Sequence, residues 1–101
     1  SGGLADVIAM ARANAIDPIE ALSIFSKFQV GNVIMNRGPR MARGELTPPS
    51  FAVEMARKDV RLMMDAAKDQ PLVALPCIAR RMDEVIEAGR GNYDLAALVG
   101  E

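Results

Sequence analysis

The chain has 101 residues, half of them apolar, with a formal net charge of −1, one cysteine and no histidine. This length suits a single domain over residues 1–101; the scattered Lys and Arg do not form the basic stripe of a nucleic-acid binder, and no apolar run approaches the roughly 18 residues of a membrane span. Cys77 is expected as a small core residue; as the single cysteine it excludes an intrachain disulfide and indicates a reducing, cytoplasmic compartment. The missing histidine excludes a Ser-His-Asp triad within the chain. No cluster of side chains has metal-ligand spacing.

Abundant Ala and Met, with few β-branched runs, favour an all-α fold, which we expect to hold about five to six helices. The first predicted helix is Leu4–Asn14, whose apolar residues follow the i, i+3, i+4, i+7 pattern. Asp17 and Pro18 suit the N-cap and first position of a second helix, which runs to about Phe28. That helix is expected to bury Ile19, Leu22 and either Ile24 or Phe25.

Gly and Pro punctuate the middle of the chain. The segment Gln29–Asn32 ends the second helix, and a short third helix covers Val33–Arg37. Gly38-Pro39 should end or kink this helix, since proline removes a hydrogen-bond donor and clashes with the preceding turn. A helix of about five turns follows over residues 50–68, and Ser50 is its expected N-cap.

The last third of the chain predicts one long helix and a terminal turn. Pro76 suits the first turn of the helix, and Gly89 suits a left-handed residue just past its end. The expected apolar face of this helix is Ile78, Met82, Val85 and Ile86. Asp94 is placed to cap a terminal turn over Leu95–Val99.

The helix over residues 50–68 carries the most informative residues. Its apolar arc includes Phe51, but Asp59 also projects into that arc, and Lys58 lies on its border. A carboxylate in a core is costly unless it is paired, so the simplest interpretation is structural: Asp59 caps a neighbouring helix or pairs with Arg37 or Arg40, Lys58 lies on the surface, and Phe51 anchors the core. The alternative is that this aromatic, cation and anion form one wall of a cleft for a charged, partly planar ligand.

Four segments resemble a known family. Phe51-x-x-x-Met55-x-x-Lys58-Asp59 resembles the F-x-x-x-L-x-x-K-D segment in the C-terminal domain of β-hydroxyacid dehydrogenases, such as 3-hydroxyisobutyrate dehydrogenase, which are related to 6-phosphogluconate dehydrogenase. The segment Asp6–Pro18 is similar to the family's E-A-x-x-L-A-x-x-x-G-L-D-P. Gly38–Glu45 is similar to its P-x-M…G-D region, and Pro71–Asp94 to its closing P-x-P…G-x-G-x-x-D. In order and spacing the four segments cover nearly the whole chain.

The resemblance implies a two-domain, dimeric enzyme whose Rossmann domain binds NAD or NADP and whose long interdomain helix carries a catalytic lysine. By resemblance, residues 1–101 are the C-terminal helical domain, beginning part-way along that helix; the Rossmann domain and the catalytic lysine are absent, so this piece alone is expected to be inactive. Lys58 and Phe51 would contact the cofactor, and Phe51 and Asp59 would line the active site. The substrate would be a small hydroxy acid or the matching aldehyde or keto acid.

Three departures from the family pattern bear on these expectations. Ala15 stands where the family has Gly, which predicts a strained or reshaped helix end. Asp6 replaces a Glu and is one methylene shorter, and Pro48-Pro49-Ser50 makes the segment before Phe51 a residue longer. Two alternatives stay open: a self-contained helical dimerisation or scaffold module, and the same domain from an imine reductase or a 6-phosphogluconate dehydrogenase-like enzyme.

Overall fold

Five α-helices dominate the part of the chain that the computed structural model describes, residues 1–99. They are α1 (Gly2–Ala13), α2 (Pro18–Leu22), α3 (Val30–Arg43), α4 (Val53–Ala66) and α5 (Leu75–Val85). Short 3₁₀ segments cover Ser23–Ser26 and Leu95–Val99, and a π-helical turn follows α5 over Ile86–Arg90. The prediction of an all-α bundle of about five to six helices is confirmed.

The core lies between α4 and α5, which pack against each other more extensively than any other two helices. Its buried side chains come from α4, α5 and the Leu95–Val99 segment: Val53, Ala56, Val60, Ala79, Met82, Val85 and Ala97. Most of these side chains are small, which lets the helix backbones approach closely. Ile78, predicted in the apolar face of α5, and Cys77, predicted in the core, are both exposed instead.

The second and third helices depart from the sequence-based prediction. α2 ends at Leu22, and Ile19, Ile24 and Phe25 are exposed rather than buried, because α2 turns only Pro18, Ala21 and Leu22 towards the rest of the chain. α3 begins three residues early and continues through Gly38-Pro39 to Arg43. The acceptor that Pro39 leaves without a helical donor is the carbonyl of Met35, a highly exposed residue, so water can replace the lost bond.

The start of α4 is also different from the prediction. Ala52 is the N-cap, and no side chain caps the helix. The first two N–H groups of α4 donate instead to backbone carbonyls of the loop after α5: Val53 N to Tyr93 O and Glu54 N to Gly91 O, both at 2.9 Å. The loop carbonyls therefore cap α4 in place of Ser50. The Ser50 hydroxyl accepts a hydrogen bond from Arg40 instead.

Asp6 links α1 to α5 through a buried carboxylate. Its side chain is 3% exposed, and its oxygens accept hydrogen bonds from the backbone N–H groups of Val73, Ala74 (3.0 Å) and Leu75 (2.7 Å) at the start of α5. Burial raises the pKa of Asp6, but the three backbone donors outweigh burial, and the net pKa lies below the ordinary value. Asp6 of α1 thus caps the N-terminus of α5.

Two residues predicted for special roles by local sequence are confirmed. Gly89 has φ +82° and ends the helical run after α5 in the left-handed region. Asp94 caps the Leu95–Val99 segment, since its Oδ2 accepts the N–H of Ala96 at 2.9 Å. None of the helices in residues 1–99 is both long and apolar enough to cross a membrane.

Ala15, where the resemblance predicted a strained helix end, has φ +56°. The left-handed region costs an L-residue about 1–2 kcal/mol, and glycine at this position would remove that cost. Part of the gain, about 0.4–1 kcal/mol, is lost again because glycine gives the unfolded chain more conformational freedom. Ala15→Gly is therefore expected to raise the free energy of unfolding by about 0.5–1 kcal/mol, measured by urea titration. The matched control is Ala5→Gly inside α1, which should cost about 1 kcal/mol; equal losses for both variants would contradict the prediction.

Candidate functional site

The outer face of α4 combines exposed apolar and charged side chains on one helix. While Val53, Ala56 and Val60 point into the core, Met55, Asp59 and Leu62 follow an i, i+4, i+7 stripe along the other, exposed edge of the same apolar arc. Met55 and Leu62 are 53% and 55% exposed. This edge of the apolar arc of α4 therefore stays about half exposed among the described residues.

Asp59 is exposed, so the interpretation of this residue as a carboxylate with a structural partner is wrong, whereas Lys58 is exposed as that interpretation predicted. The apolar arc of α4 is wider than its interface with α5, so the helix buries only one edge of the arc and leaves the edge that contains Asp59 in solvent. Arg37 and Arg40, the expected partners of Asp59, lie beside Asp94 instead.

Lys58 lines an open groove between α4 and α5, with a volume of about 440 Å³. The other lining residues are Glu54, Arg57, Arg61 and Asp83. Arg57 Nε lies 2.8 Å from Asp83 Oδ1, and this ion pair joins the two helices. Within residues 1–99, neither Lys58 nor Arg61 forms a side-chain ion pair or hydrogen bond, so both cations remain available to a ligand.

Phe51 lies just before α4 and is 40% exposed, so it is not the core anchor that the residues alone suggested. The backbone on both sides of its ring is fixed: its N–H donates to Asp94 Oδ1 at 3.2 Å, and its carbonyl accepts from Leu95 N at 2.8 Å. A partly exposed aromatic ring on a fixed backbone can stack on a planar group without a large loss of conformational freedom.

Asp94 holds this segment in place from a fully buried position. It accepts hydrogen bonds from the Arg37 guanidinium and from the backbone N–H groups of Ser50, Phe51 and Ala96. Burial raises the pKa of Asp94, but the backbone donors and then the charge of Arg37 outweigh burial and lower the pKa to about 2. Asp94 is therefore a permanent anion that joins α3, the segment before α4 and the Leu95–Val99 segment.

The three predicted site residues do not converge on one cavity. Lys58 lines the groove, whereas Phe51 and Asp59 do not. Lys58 and Asp59 leave α4 about 100° apart, as consecutive helical residues do. The sequence-based prediction missed Arg57, Arg61 and Asp83, although three basic residues within five positions of one helix were a visible signal of a cationic groove wall.

These side chains fit a dinucleotide in chemical terms. An unpaired ammonium can donate to phosphate, hydroxyl or amide oxygens, a partly exposed ring can stack on a base or nicotinamide, and a free carboxylate can accept from hydroxyl or amide groups. Residues 1–99 contain no group of three or more His, Cys, Asp or Glu side chains that could hold a metal ion. Comparison of the sequence with protein-family models finds no match, and comparison with curated proteins finds no significant match.

Proposed function

We propose that the chain is the C-terminal helical domain of an NAD(P)-dependent β-hydroxyacid dehydrogenase, as its motif resemblance implies. The observation that supports this proposal is the exposed side of α4, where Asp59 lies between Met55 and Leu62, Lys58 lines the neighbouring groove, and neither charge has a partner among residues 1–99. Exposed apolar side chains around unpaired charges are typical of a surface that meets a ligand or another domain. The same face is the one that carries the family-like motif.

In this proposal the chain binds and orients the cofactor, and it contains no catalytic residue. Bound NAD or NADP supplies hydride transfer to or from a small hydroxy acid or the matching aldehyde. Lys58 donates a charge-assisted hydrogen bond to the cofactor, Phe51 packs against its planar part, and Asp59 lines the active-site side of the cleft. Met55 and Leu62 help to exclude water when a dinucleotide-binding domain closes over the face.

Lys58→Ala tests the proposed cofactor contact in the protein that joins this chain to a dinucleotide-binding domain. A hydrogen bond to a charged group contributes about 1.5–3 kcal/mol, so the KM for NAD(P) is expected to rise about 10- to 100-fold. Steady-state kinetics with varied cofactor measure this change. Lys68→Ala is the matched control, since it removes an exposed lysine just past the C-terminal end of α4, and it should leave the cofactor KM unchanged. Wild-type KM and kcat in the Lys58→Ala enzyme would show that the site is assigned wrongly.

A second candidate function is a self-contained helical dimerisation or scaffold module, and a different observation favours it. The chain exposes Phe25 and Phe28 between α2 and α3, and Ile34 in the first half of α3, all of them far from the outer face of α4 in sequence. Genomic sequence preceding Ser1 separates the two functions, since a Gly-rich dinucleotide-binding fingerprint there would favour the dehydrogenase. An imine reductase or a 6-phosphogluconate dehydrogenase-like parent would share that fingerprint and would be distinguished by substrate assays.

A further inference from the structure

A second groove, of about 300 Å³, lies between α1 and α2, in a part of the chain that the proposed function does not use. None of its lining side chains carries a charge, in contrast to the groove beside Lys58. A phosphate, carboxylate or ammonium group would lose its hydration there without gaining an opposite charge, so the groove suits an uncharged ligand. The lining residues are Val7, Met10, Ala11, Asn14, Ile16 and Ala21.

Backbone hydrogen bonds fix the walls of this α1–α2 groove. The N–H of Ile16 donates to the carbonyl of Ala11 at 2.9 Å, which folds the connection to α2 back over the last turn of α1. Asp17 caps α2 through the N–H of Ile19, and α1 and α2 pack directly against each other. The concave surface is therefore formed in the folded chain itself, so a ligand that enters it orders little of the protein.

Asn14 is the polar side chain among the six lining residues. Its Nδ2 donates to Met10 O at 2.8 Å and to Ala66 O at 2.9 Å, so both amide hydrogens are used. These two acceptors fix the orientation of the amide, because the reversed orientation would set Oδ1 against two carbonyl oxygens. Asn14 Oδ1 accepts no hydrogen bond from residues 1–99. It is a fixed acceptor at an apolar groove and can receive one hydrogen bond from a ligand.

The size and lining of the groove indicate the class of ligand. An apolar cavity of about 150 Å³ accommodates benzene, so a groove of about twice that volume accommodates a bicyclic ring. The thioether of Met10 favours an aromatic ring, since sulfur makes stabilising contacts with aromatic groups. We propose that the α1–α2 groove binds a small uncharged aromatic molecule whose single N–H or O–H group donates to Asn14 Oδ1. This site is independent of whether α4 contacts a dinucleotide.

Indole is the probe for the first experiment, because the chain contains no Trp and indole emission is therefore measured without a protein signal of the same kind. Titration with the 101-residue chain is expected to shift the indole emission to shorter wavelength as the ring leaves water. The expected dissociation constant is about 0.1–1 mM, which is typical of a ligand with few non-hydrogen atoms.

Benzofuran tests the hydrogen bond to Asn14, because it has the shape of indole with an oxygen in place of the N–H group. It is expected to bind about two- to tenfold more weakly than indole, measured by competition. A non-specific apolar surface would instead bind benzofuran at least as well, since benzofuran is the more apolar of the two. Equal or tighter binding of benzofuran would therefore overturn the proposal.

Methionine methyl groups locate the bound ring. The chain has seven Met residues, of which Met10 lines the groove, while Met35 is 71% exposed on α3. In the chain with ¹³C-labelled Met methyl groups, the ring current of indole is expected to shift the Met10 signal and to leave the Met35 signal unchanged. Equal shifts of the two signals would overturn the proposal. A Met10 shift produced by raising the protein concentration alone would also overturn it, since a second copy would then occupy the groove.

Ala21→Leu fills the groove from α2 and is expected to weaken indole binding at least about tenfold. The matched control is Ala42→Leu, which adds the same atoms at an exposed position of α3 and should leave binding unchanged. Circular dichroism checks that both variants keep their helical content. Unchanged affinity in a folded Ala21→Leu chain would contradict the proposal. If Ala21→Leu does not fold, the benzofuran comparison and the Met10 signal decide the question in the wild-type chain.

Discussion

Replacing Asp94 with alanine is expected to lower the free energy of unfolding by about 3–5 kcal/mol, because it leaves a partly buried guanidinium without its partner. The Asp94 side chain is fully buried and accepts hydrogen bonds from Arg37 and from three backbone N–H groups. Domains of this size are stable by about 5–15 kcal/mol, so a large share of the total depends on one carboxylate. Urea titration followed by circular dichroism measures the loss.

The pH dependence of Asp94 provides a readout that a simple packing defect would not produce. Its pKa falls from the ordinary 3.8 to about 2 in the folded chain. A group with a lowered pKa stabilises the fold at pH values above its unfolded pKa, and this contribution is lost as pH falls through the folded value. The shift corresponds to about 2 kcal/mol, which should disappear between about pH 4 and pH 2. In Asp94→Asn this part of the pH dependence should be absent.

Asp59→Ala is the control for both measurements. Asp59 is exposed and has no side-chain partner among residues 1–99, so its removal should change the free energy of unfolding by less than about 0.5 kcal/mol. If Asp94→Ala cost no more than Asp59→Ala, the buried ion pair would contribute little to stability. Such a result would also remove the physical basis for a fixed Phe51 backbone.

Elements with strong local signals were predictable from the sequence. Asp17 caps α2 as expected, since its Oδ1 accepts the N–H of Ile19 at 3.1 Å, and Pro18 occupies the first turn. Gly89 adopts its predicted left-handed conformation, and Asp94 caps the helical turn that follows it directly in the sequence. Such signals depend on backbone geometry and short-range hydrogen bonds, which do not require knowledge of the tertiary fold.

The errors occur where distant residues supply the partner. Ser50 does not cap α4, because loop carbonyls some forty residues later accept the first N–H groups of that helix. Arg37 does not meet Asp59, because a buried carboxylate 57 residues away holds it. The motif Lys58-Asp59 was visible in the sequence, but its exposure depended on which edge of a wide apolar arc α5 would cover.

Asp6→Ala is expected to lower the free energy of unfolding by about 2–4 kcal/mol, the second largest loss that we expect. The buried carboxylate on α1 accepts hydrogen bonds from the N–H groups of Val73, Ala74 and Leu75, so its removal leaves three N–H donors at the start of α5 without an acceptor. Those amides have no helical acceptor of their own, since the first turn of a helix leaves its N–H groups unpaired. Native-state hydrogen exchange should therefore accelerate at these three positions, and urea titration should report the global loss.

Asp17→Ala separates the effect of a buried cap from that of an exposed one. Asp17 also accepts a helix N-terminal N–H, but it is exposed and its bond stays within one turn of chain, so its loss should cost only about 0.5–1 kcal/mol. Asp6→Asn keeps one acceptor oxygen and should lie between Asp6→Ala and the wild type. Because the pKa of Asp6 is lowered on folding, its contribution is present above the unfolded pKa and is lost as pH falls below it. Equal losses for Asp6→Ala and Asp17→Ala, with unchanged exchange at the start of α5, would mean that α1 does not hold α5 through this carboxylate.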